Sequence, residues 1–342
     1  MIYRSKAPLR LGLAGGGTDV SPYSDIYGGA VLNATISLYA HATIEQITEN
    51  KIIIEAIDQK EKQVFDRIPT LPIDGKLSLL KAVYNRFEKD HTLPAGGFHL
   101  TTSVDAPLGS GLGTSSTIVV AIVGAFAAMI GLQLTAYEIA HYAYEIERKD
   151  LLLAGGKQDQ YAAAFGGVNF MEFYAQDKVL VDRLSIPEQY LQQLQHNLVL
   201  YFTNTSRESA AIITEQVNNV NNNNEKSIGA MHQLKEQAKM MKEALLNGKI
   251  DAIGEILDYG FSQKKLMAHN ISNHSIEAIY AAAKNAGASG GKISGAGGGG
   301  FMVFYCPGNS RDAVIAALNN FGGSVKAYAF VSDGLTSSSH LV

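Results

Sequence analysis

The sequence has little cysteine and little net charge, and each shortage excludes a class of protein. Its 342 residues include one cysteine, Cys306, which excludes an internal disulfide and a multi-cysteine metal site. The formal net charge of −4 gives no general attraction to nucleic acid or to an anionic membrane surface. The nine histidines are scattered without an H-x-x-x-H pair, so we expect no transition-metal site.

Long apolar runs and targeting signals are also missing. The longest apolar stretch, 118–130, is too short to span a bilayer and contains Gly124, so it is interpreted as a buried helix. Basic residues interrupt the opening MIYRSKAPLRLGL before an apolar segment can build, which argues against a secretory signal. We therefore expect a cytoplasmic protein.

Glycine is the residue in excess, and its 34 copies are concentrated in a few segments. The densest segments are 12–17 (GLAGGG), 109–113 (GSGLG) and 287–300 (GASGGKISGAGGGG). Clusters of this kind indicate close approach between backbones or positive φ angles rather than flexible linkers. Three such loops on separate parts of the chain are difficult to explain as coincidental turns.

Hydrophobic periodicity divides the chain into two units, which we assign to residues 1–187 and 188–342. Thr135 and Glu138 form the pattern of a capping box. The asparagine-rich stretch 218–224 is predicted to be a solvated connection. The predicted strands are 39–47, 52–57, 97–104, 198–202, 301–305 and 325–330, and the predicted helices are 77–89, 114–130, 135–149, 226–246, 249–268, 273–286 and 310–319.

The segment PLGSGLGTSS, 107–116, has the character of an anion-binding loop. It is not a P-loop, because a threonine rather than a lysine follows Gly113, and it lacks the third glycine of a dinucleotide fingerprint. Small residues still let successive N–H groups point at one anion, and the helix that follows adds the positive end of its dipole. The alternative is a tight turn capped by a serine.

Together with two further segments, this loop resembles the signature motifs of the GHMP kinases, which act on galactose, homoserine, mevalonate and phosphomevalonate. The opening APLRLGLAGGGTD, 7–19, is similar to the first motif, and GAGGGG, 295–300, matches the third. The resemblance implies an α+β fold with an N-terminal domain like ribosomal protein S5 domain 2 and a ferredoxin-like C-terminal domain, with ATP and the acceptor between them. The implied nucleotide-binding residues are Pro107, Gly109, Ser110, Gly111, Leu112, Gly113, Thr114, Ser115 and Ser116.

The resemblance also implies a base, a cation beside it and a magnesium site. Asp159 in GGKQDQYAAAFGG matches the aspartate that accepts the hydroxyl proton of the acceptor, and Arg10 aligns with the cation near it. Mg²⁺ prefers hard oxygen ligands, which are implied at Ser115 and at Glu147 in EIERKD. The structural alternatives are a helix cap for Asp159 and a surface ion pair for Glu147.

The first motif narrows the kind of acceptor. Where galactokinases carry Glu and His to hold sugar hydroxyls, this chain has Gly16 and Gly17, which leaves room for a larger or anionic sugar. Asp19 is retained and is expected to bind a sugar hydroxyl. The segments are most similar to those of D-glycero-D-manno-heptose 7-phosphate kinases, a branch of the family that phosphorylates the anomeric hydroxyl. The full set implied at the substrate is Gly16, Gly17, Asp19, Lys157, Gly297, Gly298 and Lys292.

A terminal phosphate on the sugar requires basic partners, and several are available. Lys157 and Lys292 are preferred because their loops should line the cleft, and the other candidates are Lys6, Arg10, Arg207 and Lys264. Fucokinases share much of the pattern, so a kinase of an unphosphorylated sugar such as fucose is the alternative. A catalytically silent sugar or nucleotide sensor is a third hypothesis, which the presence of a base disfavours. The expected ligands are ATP, Mg²⁺ and a small sugar or sugar phosphate, with no nucleic acid and no membrane.

Overall fold

The computed structural model describes residues 1–205 and 209–341. Its strands are β1 (Ile2–Ala14), β2 (Gly29–Ile47), β3 (Lys51–Ala56), β4 (Glu61–Asp66), β5 (Gly97–Val104), β6 (Val168–Phe173), β7 (Val179–Arg183), β8 (Leu198–Phe202), β9 (Gly290–Ile293), β10 (Phe301–Tyr305), β11 (Ser324–Val325) and β12 (Thr336–His340). Its helices are α1 (Tyr23–Tyr27), α2 (Ser78–Asp90), α3 (Thr114–Ile130), α4 (Ala136–Glu145), α5 (Gln158–Phe165), α6 (Glu188–Asn197), α7 (Ser209–Asn221), α8 (Glu225–Leu246), α9 (Ile253–Lys264), α10 (His274–Asn285) and α11 (Arg311–Leu318). A π-helical turn covers Ile146–Asp150, and short 3-10 turns cover Ile250–Ala252 and Asn319–Phe321.

Two sheets organise these elements. The first has the strand order β12-β1-β2-β5-β3-β4, and β6 with β7 extends from β2; the second has the order β11-β8-β10-β9. The predicted division between residues 187 and 188 falls directly before α6 and stays a prediction. The last strand nevertheless returns to the first sheet, where β12 pairs with β1 from Ile2 opposite His340 to Lys6 opposite Thr336.

Helix α3 is the centre of the first hydrophobic core because its sequence is apolar on every side. Side chains from 118 to 126 along this helix are almost all excluded from solvent, as expected of a buried helix. The capping box at the start of α4 is confirmed: Thr135 Oγ1 accepts from Glu138 N, and the Glu138 carboxylate accepts from Thr135 N. Within the described residues, no helix is long and apolar enough to cross a membrane.

The asparagine-rich stretch and the last predicted strand differ from the structure. Helix α7 continues through Asn221, so part of the asparagine-rich stretch is helical; Val220 is buried and Asn219 Nδ2 donates to the Met267 carbonyl at 2.8 Å. These two anchors offset the poor helix propensity of asparagine. The predicted strand 325–330 is reduced to the two residues of β11 and an isolated bridge between Phe330 and Ile36, because the chain leaves the second sheet for the first.

Candidate active site

The three glycine segments meet in one cleft of about 710 Å³. Its walls come from both parts of the chain, since α7, α9 and the β9–β10 loop face the β1–α1 loop, the loop before α3 and the start of α5. The predicted site residues that line it are Arg10, Gly16, Gly17, Asp19, Gly109, Gly111, Gly113, Thr114, Ser115, Ser116, Glu147, Asp159 and Lys292. Most of the candidate site is therefore brought together.

The loop before α3 has the geometry of an anion cradle. Gly109, Gly111 and Gly113 all have positive φ angles, of 72°, 82° and 79°, alternating with non-glycine residues. Backbone of this kind turns successive N–H groups toward one point. Gly113 is the N-cap of α3 and no side chain caps the helix, so the first-turn N–H groups remain available to a ligand.

The glycines also let this loop pack directly on the third glycine segment. Phe301 N donates to the Ser110 carbonyl at 2.8 Å, and Ser294 Oγ donates to the Gly111 carbonyl at 2.8 Å. A Cβ at Gly111 would lie 2.5 Å from the Ser294 carbonyl oxygen, and one at Gly300 would lie 2.4 Å from that of Ser110. The expected close approach of backbones is confirmed here.

Asp159 and Arg10 form an ion pair at the end of the anion cradle. Arg10 Nε donates to Asp159 Oδ1 at 2.7 Å, and a second guanidinium nitrogen donates to the Gly111 carbonyl. Arg10 is almost fully buried, whereas the Asp159 side chain keeps 23% of its surface exposed toward the cleft. A Cβ at Gly113 would lie 3.1 Å from Asp159 Cγ, so the carboxylate abuts the last residue of the loop.

Glu147 lies in the π-helical turn after α4, and such turns often occur at functional sites. It is 1% exposed yet lines the cleft. Its Oε1 accepts from Ser116 Oγ at 3.0 Å, and its Oε2 accepts from Gln160 Nε2. Burial raises the pKa of this carboxyl above its ordinary value, while Arg148 and the two hydrogen bonds oppose that effect. Ser115, the predicted metal partner, is exposed at the cleft, and Ser116 is the residue bonded to Glu147.

The comparisons with known proteins agree with this geometry. Residues 78–167 match the GHMP kinases N terminal domain, and residues 241–324 match the GHMP kinases C terminal domain. A D-glycero-alpha-D-manno-heptose 7-phosphate kinase of Campylobacter jejuni is 46% identical over 98% of both chains. The chain belongs to the GHMP kinase family. Members of this family are ATP-dependent phosphotransferases, and this protein is an enzyme of that class.

Other relatives place this GHMP kinase among sugar kinases. The crystal structure of a D-glycero-D-manno-heptose 1-phosphate kinase from Bacteroides thetaiotaomicron is 44% identical, with a TM-score of 0.85 over 99% of this chain and 100% of that one. The L-fucokinase/L-fucose-1-P guanylyltransferase of Bacteroides fragilis is 27% identical over 88% of this chain and 34% of its own length. The predicted two-domain α+β fold of the family is thereby confirmed.

Asp19 is placed differently from the expectation that it binds a sugar hydroxyl. Its Oδ2 accepts from the N–H groups of Lys157 and Gln158 at 3.0 and 3.1 Å, and its Oδ1 accepts from Gly17 N and Gln158 Nε2 at 3.1 and 3.2 Å. A carboxylate has about four lone-pair sites, so this one is saturated. Because Lys157 is the N-cap of α5, Asp19 caps that helix from another loop.

Lys157, a preferred cation for the sugar phosphate, is not brought into the cleft. Its ammonium group is buried and pairs with Asp177 and Asp25 at 3.1 and 3.4 Å, and these carboxylates already satisfy its charge. Lys264 and Lys292 line the cleft instead. Lys6 borders a separate small cleft with Tyr39, and Arg207 lies outside the described residues.

The remaining predicted residues serve the loops rather than the cleft surface. Gly297 and Gly298 pack on Ile271, whose carbonyl accepts from Gly298 N at 2.8 Å. Gly295 and Ala296 of the same motif line the cleft in their place. In the second motif, Leu112 is buried, Ser110 Oγ has no hydrogen-bond partner among the described residues, and Pro107 accepts from Ser110 N in a turn.

Sequence reasoning missed three glutamines at the site. Gln158 holds Asp19, Gln160 holds Glu147 and Ser116, and Gln216 lines the cleft from α7. Gln158 and Gln160 flank Asp159 in the Q-D-Q segment. Their position next to the predicted base is the sequence feature that could have identified them as site residues. Gln216 lies in an ordinary amphipathic helix and carries no such signal in the sequence.

Proposed function

We propose that this GHMP kinase transfers the γ-phosphate of ATP to the anomeric hydroxyl of D-glycero-D-manno-heptose 7-phosphate, giving the 1,7-bisphosphate. The observation that supports the chemistry best is the position of Asp159, paired with Arg10 at 2.7 Å and in contact with Gly113 at the end of the anion cradle. The acceptor is inferred from the relative that is 46% identical over 98% of the chain. Consumption of ATP fits the expected cytoplasmic location.

In the proposed reaction, Asp159 accepts the proton of the anomeric hydroxyl as its oxygen bonds to the γ-phosphorus. The bond between that phosphorus and the β–γ bridging oxygen breaks, and ADP leaves with the electron pair. An aspartate is a weak base toward an alcohol, so positioning and electrostatic stabilisation supply most of the acceleration. Arg10 keeps the carboxylate oriented and places positive charge beside the developing charge of the transition state.

The residues around Glu147 fit a magnesium ion. The described residues contain no cluster of three or more His, Cys, Asp or Glu that could hold a metal by itself. Mg²⁺ bound with a nucleotide needs only one or two carboxylates besides the phosphates and water. The buried Glu147 carboxylate and the exposed Ser115 hydroxyl are hard oxygen donors on this cleft and would hold the ion. When bound, Mg²⁺ neutralises charge on the β- and γ-phosphate oxygens.

A panel of acceptors tests this proposal, with ADP release as the measurement. The panel contains heptose 7-phosphate, heptose 1-phosphate, mannose 6-phosphate, mannose, fucose and galactose, assayed with ATP and Mg²⁺. Turnover on heptose 7-phosphate that falls about 10²- to 10⁴-fold in Asp159→Asn is the expected result. The heptose 1-phosphate arm is included because the two heptose kinase relatives are named for different phosphate positions.

Other outcomes on the panel would replace the proposal. Preference for fucose would make the protein a kinase of an unphosphorylated sugar, in keeping with its 27% identity to a fucokinase. Preference for heptose 1-phosphate would keep the heptose as the sugar but assign phosphate transfer to a hydroxyl other than the anomeric one. Binding without turnover on every acceptor would make the chain a silent sensor.

A further inference from the structure

Two lysines in the cleft are buried without a carboxylate partner. Lys264 and Lys292 are 2% and 5% exposed. Lys264 Nζ donates to the Gly16 carbonyl at 3.2 Å, and Lys292 Nζ donates to the Gly12 carbonyl at 2.7 Å. Among residues 1–205 and 209–341, neither ammonium group forms a salt bridge. Asp19 acts on Lys264 only through space, and its own lone pairs are already used.

These charges are costly for the unliganded protein. Burial lowers the pKa of Lys264 to about 8, with Asp19 opposing and Arg10 adding to the shift. Burial also lowers the pKa of Lys292 well below its ordinary value, and the nearby Lys264 and Arg10 lower it further. Proteins rarely bury a charge unless a partner compensates it, and strongly perturbed groups concentrate at functional sites. The compensating partner is therefore expected from a bound anion.

There is room for an anion beside these lysines. A Cβ at Gly16 would lie 3.9 Å from Lys264 Nζ and 3.9 Å from Gln158 Nε2, with no other atom nearer. Gln216 is 2% exposed, lines the same cleft, and its side-chain nitrogen has no hydrogen-bond partner among the described residues. Lys264 Nζ therefore borders the space beside Gly16, Lys292 Nζ lies 3.9 Å from a Cβ at Gly12, and Gln216 lines the same cleft next to Gly17.

The two lysines contact the first motif at residues that follow the contact of this motif with the anion cradle. Arg10 lies within β1 beside the anion cradle, since its guanidinium donates to the Gly111 carbonyl. Lys292 contacts Gly12, two residues further along β1, and Lys264 contacts Gly16 in the loop that follows. Two residues of extended chain advance about 6 to 7 Å. The order base, then Lys292, then Lys264 suits an acceptor whose reacting hydroxyl and phosphate are at opposite ends.

We propose that Lys264 and Lys292, with Gln216 as a neutral donor, bind the terminal phosphomonoester of the sugar acceptor. The inference rests on the proposed function, since it assigns residues to the acceptor's own phosphate. A dianionic phosphate supplies the missing counter-charge and accepts hydrogen bonds from all three donors. Binding also favours the charged form of Lys264 in the presence of its charged neighbours Arg10, Lys292, Asp19 and Asp159. Proton uptake therefore accompanies phosphate binding above about pH 8.

The first test compares Lys264→Met and Lys292→Met with the control Lys265→Met, whose lysine pairs at the surface with Glu277 at 3.1 Å. Each variant is assayed with heptose 7-phosphate and with the unphosphorylated heptose. In the first two variants, the ratio of kcat/KM for these acceptors should fall about 10- to 100-fold. The KM for ATP and the ratio in Lys265→Met should not change. A raised KM for ATP with an unchanged ratio would assign the lysines to the nucleotide and overturn the inference.

A second test does not depend on the sugar. Calorimetric binding of inorganic phosphate, with a non-hydrolysable ATP analogue on the cradle, is measured in buffers of different ionisation enthalpy. We expect proton uptake above pH 8 in the wild type and a smaller uptake in Lys264→Met, in which only Lys292 remains to be protonated. Gly16→Glu, which puts a carboxylate beside Lys264 at a residue without a positive φ, should abolish phosphate binding. A phosphate affinity and a proton uptake that are the same in the wild type and in both variants would contradict the inference.

The unfolding temperature separates a ligand-binding role from a structural one. Unliganded Lys264→Met and Lys292→Met should unfold at the same or a higher temperature than the wild type, because each variant loses an unpaired buried cation. A marked decrease in both would show that the lysines serve the fold. If the wild type turns over no heptose phosphate but binds inorganic phosphate as described, the proposed function fails and the anion site stands.

Discussion

Asp19 connects the first motif to the helix that carries the proposed base. Its Oδ2 accepts the N–H groups of Lys157 and Gln158, and Asp159 is the next residue of α5. A Cβ at Gly156 would lie 1.9 Å from the same oxygen, so the approach requires a glycine there. At the scale of the residue, we therefore propose that Asp19 holds the start of α5 in place, through its hydrogen bonds to Lys157 N and Gln158 N.

Asp19→Asn should lower kcat and leave the KM of the acceptor nearly unchanged. In asparagine, an NH₂ group replaces one of the two carboxylate oxygens and faces N–H groups that now donate hydrogen bonds to Asp19. The start of α5 should therefore shift, and the base should move with it. A displacement of about 1 Å at a reacting group costs on the order of 10²-fold in rate. Steady-state kinetics on heptose 7-phosphate measure the separation of kcat from KM.

The matched control is Asp25→Asn, which removes a carboxylate near the same helix. The Asp25 carboxylate contacts the Lys157 side chain but no backbone N–H of α5. Lys157 keeps Asp177 as a partner, so little change in kcat is expected. Amide hydrogen exchange of 156–165 should rise in Asp19→Asn alone. A raised KM with unchanged kcat and exchange would instead show that Asp19 is a sugar ligand.

At the scale of elements, the packing of the second glycine segment on the third holds the anion cradle in its conformation. Gly111→Ala would put a methyl group 2.5 Å from the Ser294 carbonyl at a φ of 82°. We expect a loss of about 1 to 3 kcal/mol in the free energy of unfolding. Because the loops separate, the KM for ATP should rise, which thermal unfolding and kinetics measure together.

Gly229→Ala is the matched glycine substitution. Gly229 lies inside α8 with no atom within 4 Å of its Cβ position. Alanine there should stabilise the protein by about 0.5 to 1 kcal/mol and leave the KM for ATP unchanged. Equal effects of the two substitutions would contradict the packing argument.

The sequence predicted elements well where the pattern was local. The strands 97–104, 198–202 and 301–305 have the predicted bounds, because each is a short run of alternating or continuous apolar residues between turns. The strand 325–330 was predicted too long, since only the three-dimensional path shows that the chain leaves one sheet for the other.

Only those residues of the candidate site that belong to a sequence motif could be predicted. Arg10, Asp159 and the anion cradle meet as the motifs predict. The orientation of side chains was not predictable: Lys157 and Lys292 both follow a pair of glycines, and one pairs with two carboxylates while the other lines the cleft. Lys264 comes from a helix without a motif, so its burial in the cleft depends on the fold.

At the scale of the whole molecule, the cleft between the two parts of the chain should make stability depend on pH. An unfolded chain keeps the Lys264 proton up to its ordinary pKa of 10.5, whereas the unliganded fold releases it at about 8. Between these values the unfolded state binds more protons, so the free energy of unfolding rises with pH.

Relative to Lys264→Met, the wild type should therefore gain about 3 kcal/mol in the free energy of unfolding between pH 8 and 10.5. Urea denaturation at steps of pH measures the difference, with Lys265→Met as the control for a surface lysine. A difference that is flat across this window would mean that Lys264 is not desolvated in the unliganded protein.

The central claim, transfer of phosphate to the anomeric oxygen of a heptose 7-phosphate, is tested most directly on the product. The protein is incubated with ATP, Mg²⁺ and heptose 7-phosphate, and the product is examined by ¹H–³¹P correlation NMR. We predict a second phosphate coupled to the anomeric proton, beside the unchanged 7-phosphate. A second phosphate coupled to any other sugar proton, or no new phosphate while ATP is consumed, would contradict the claim.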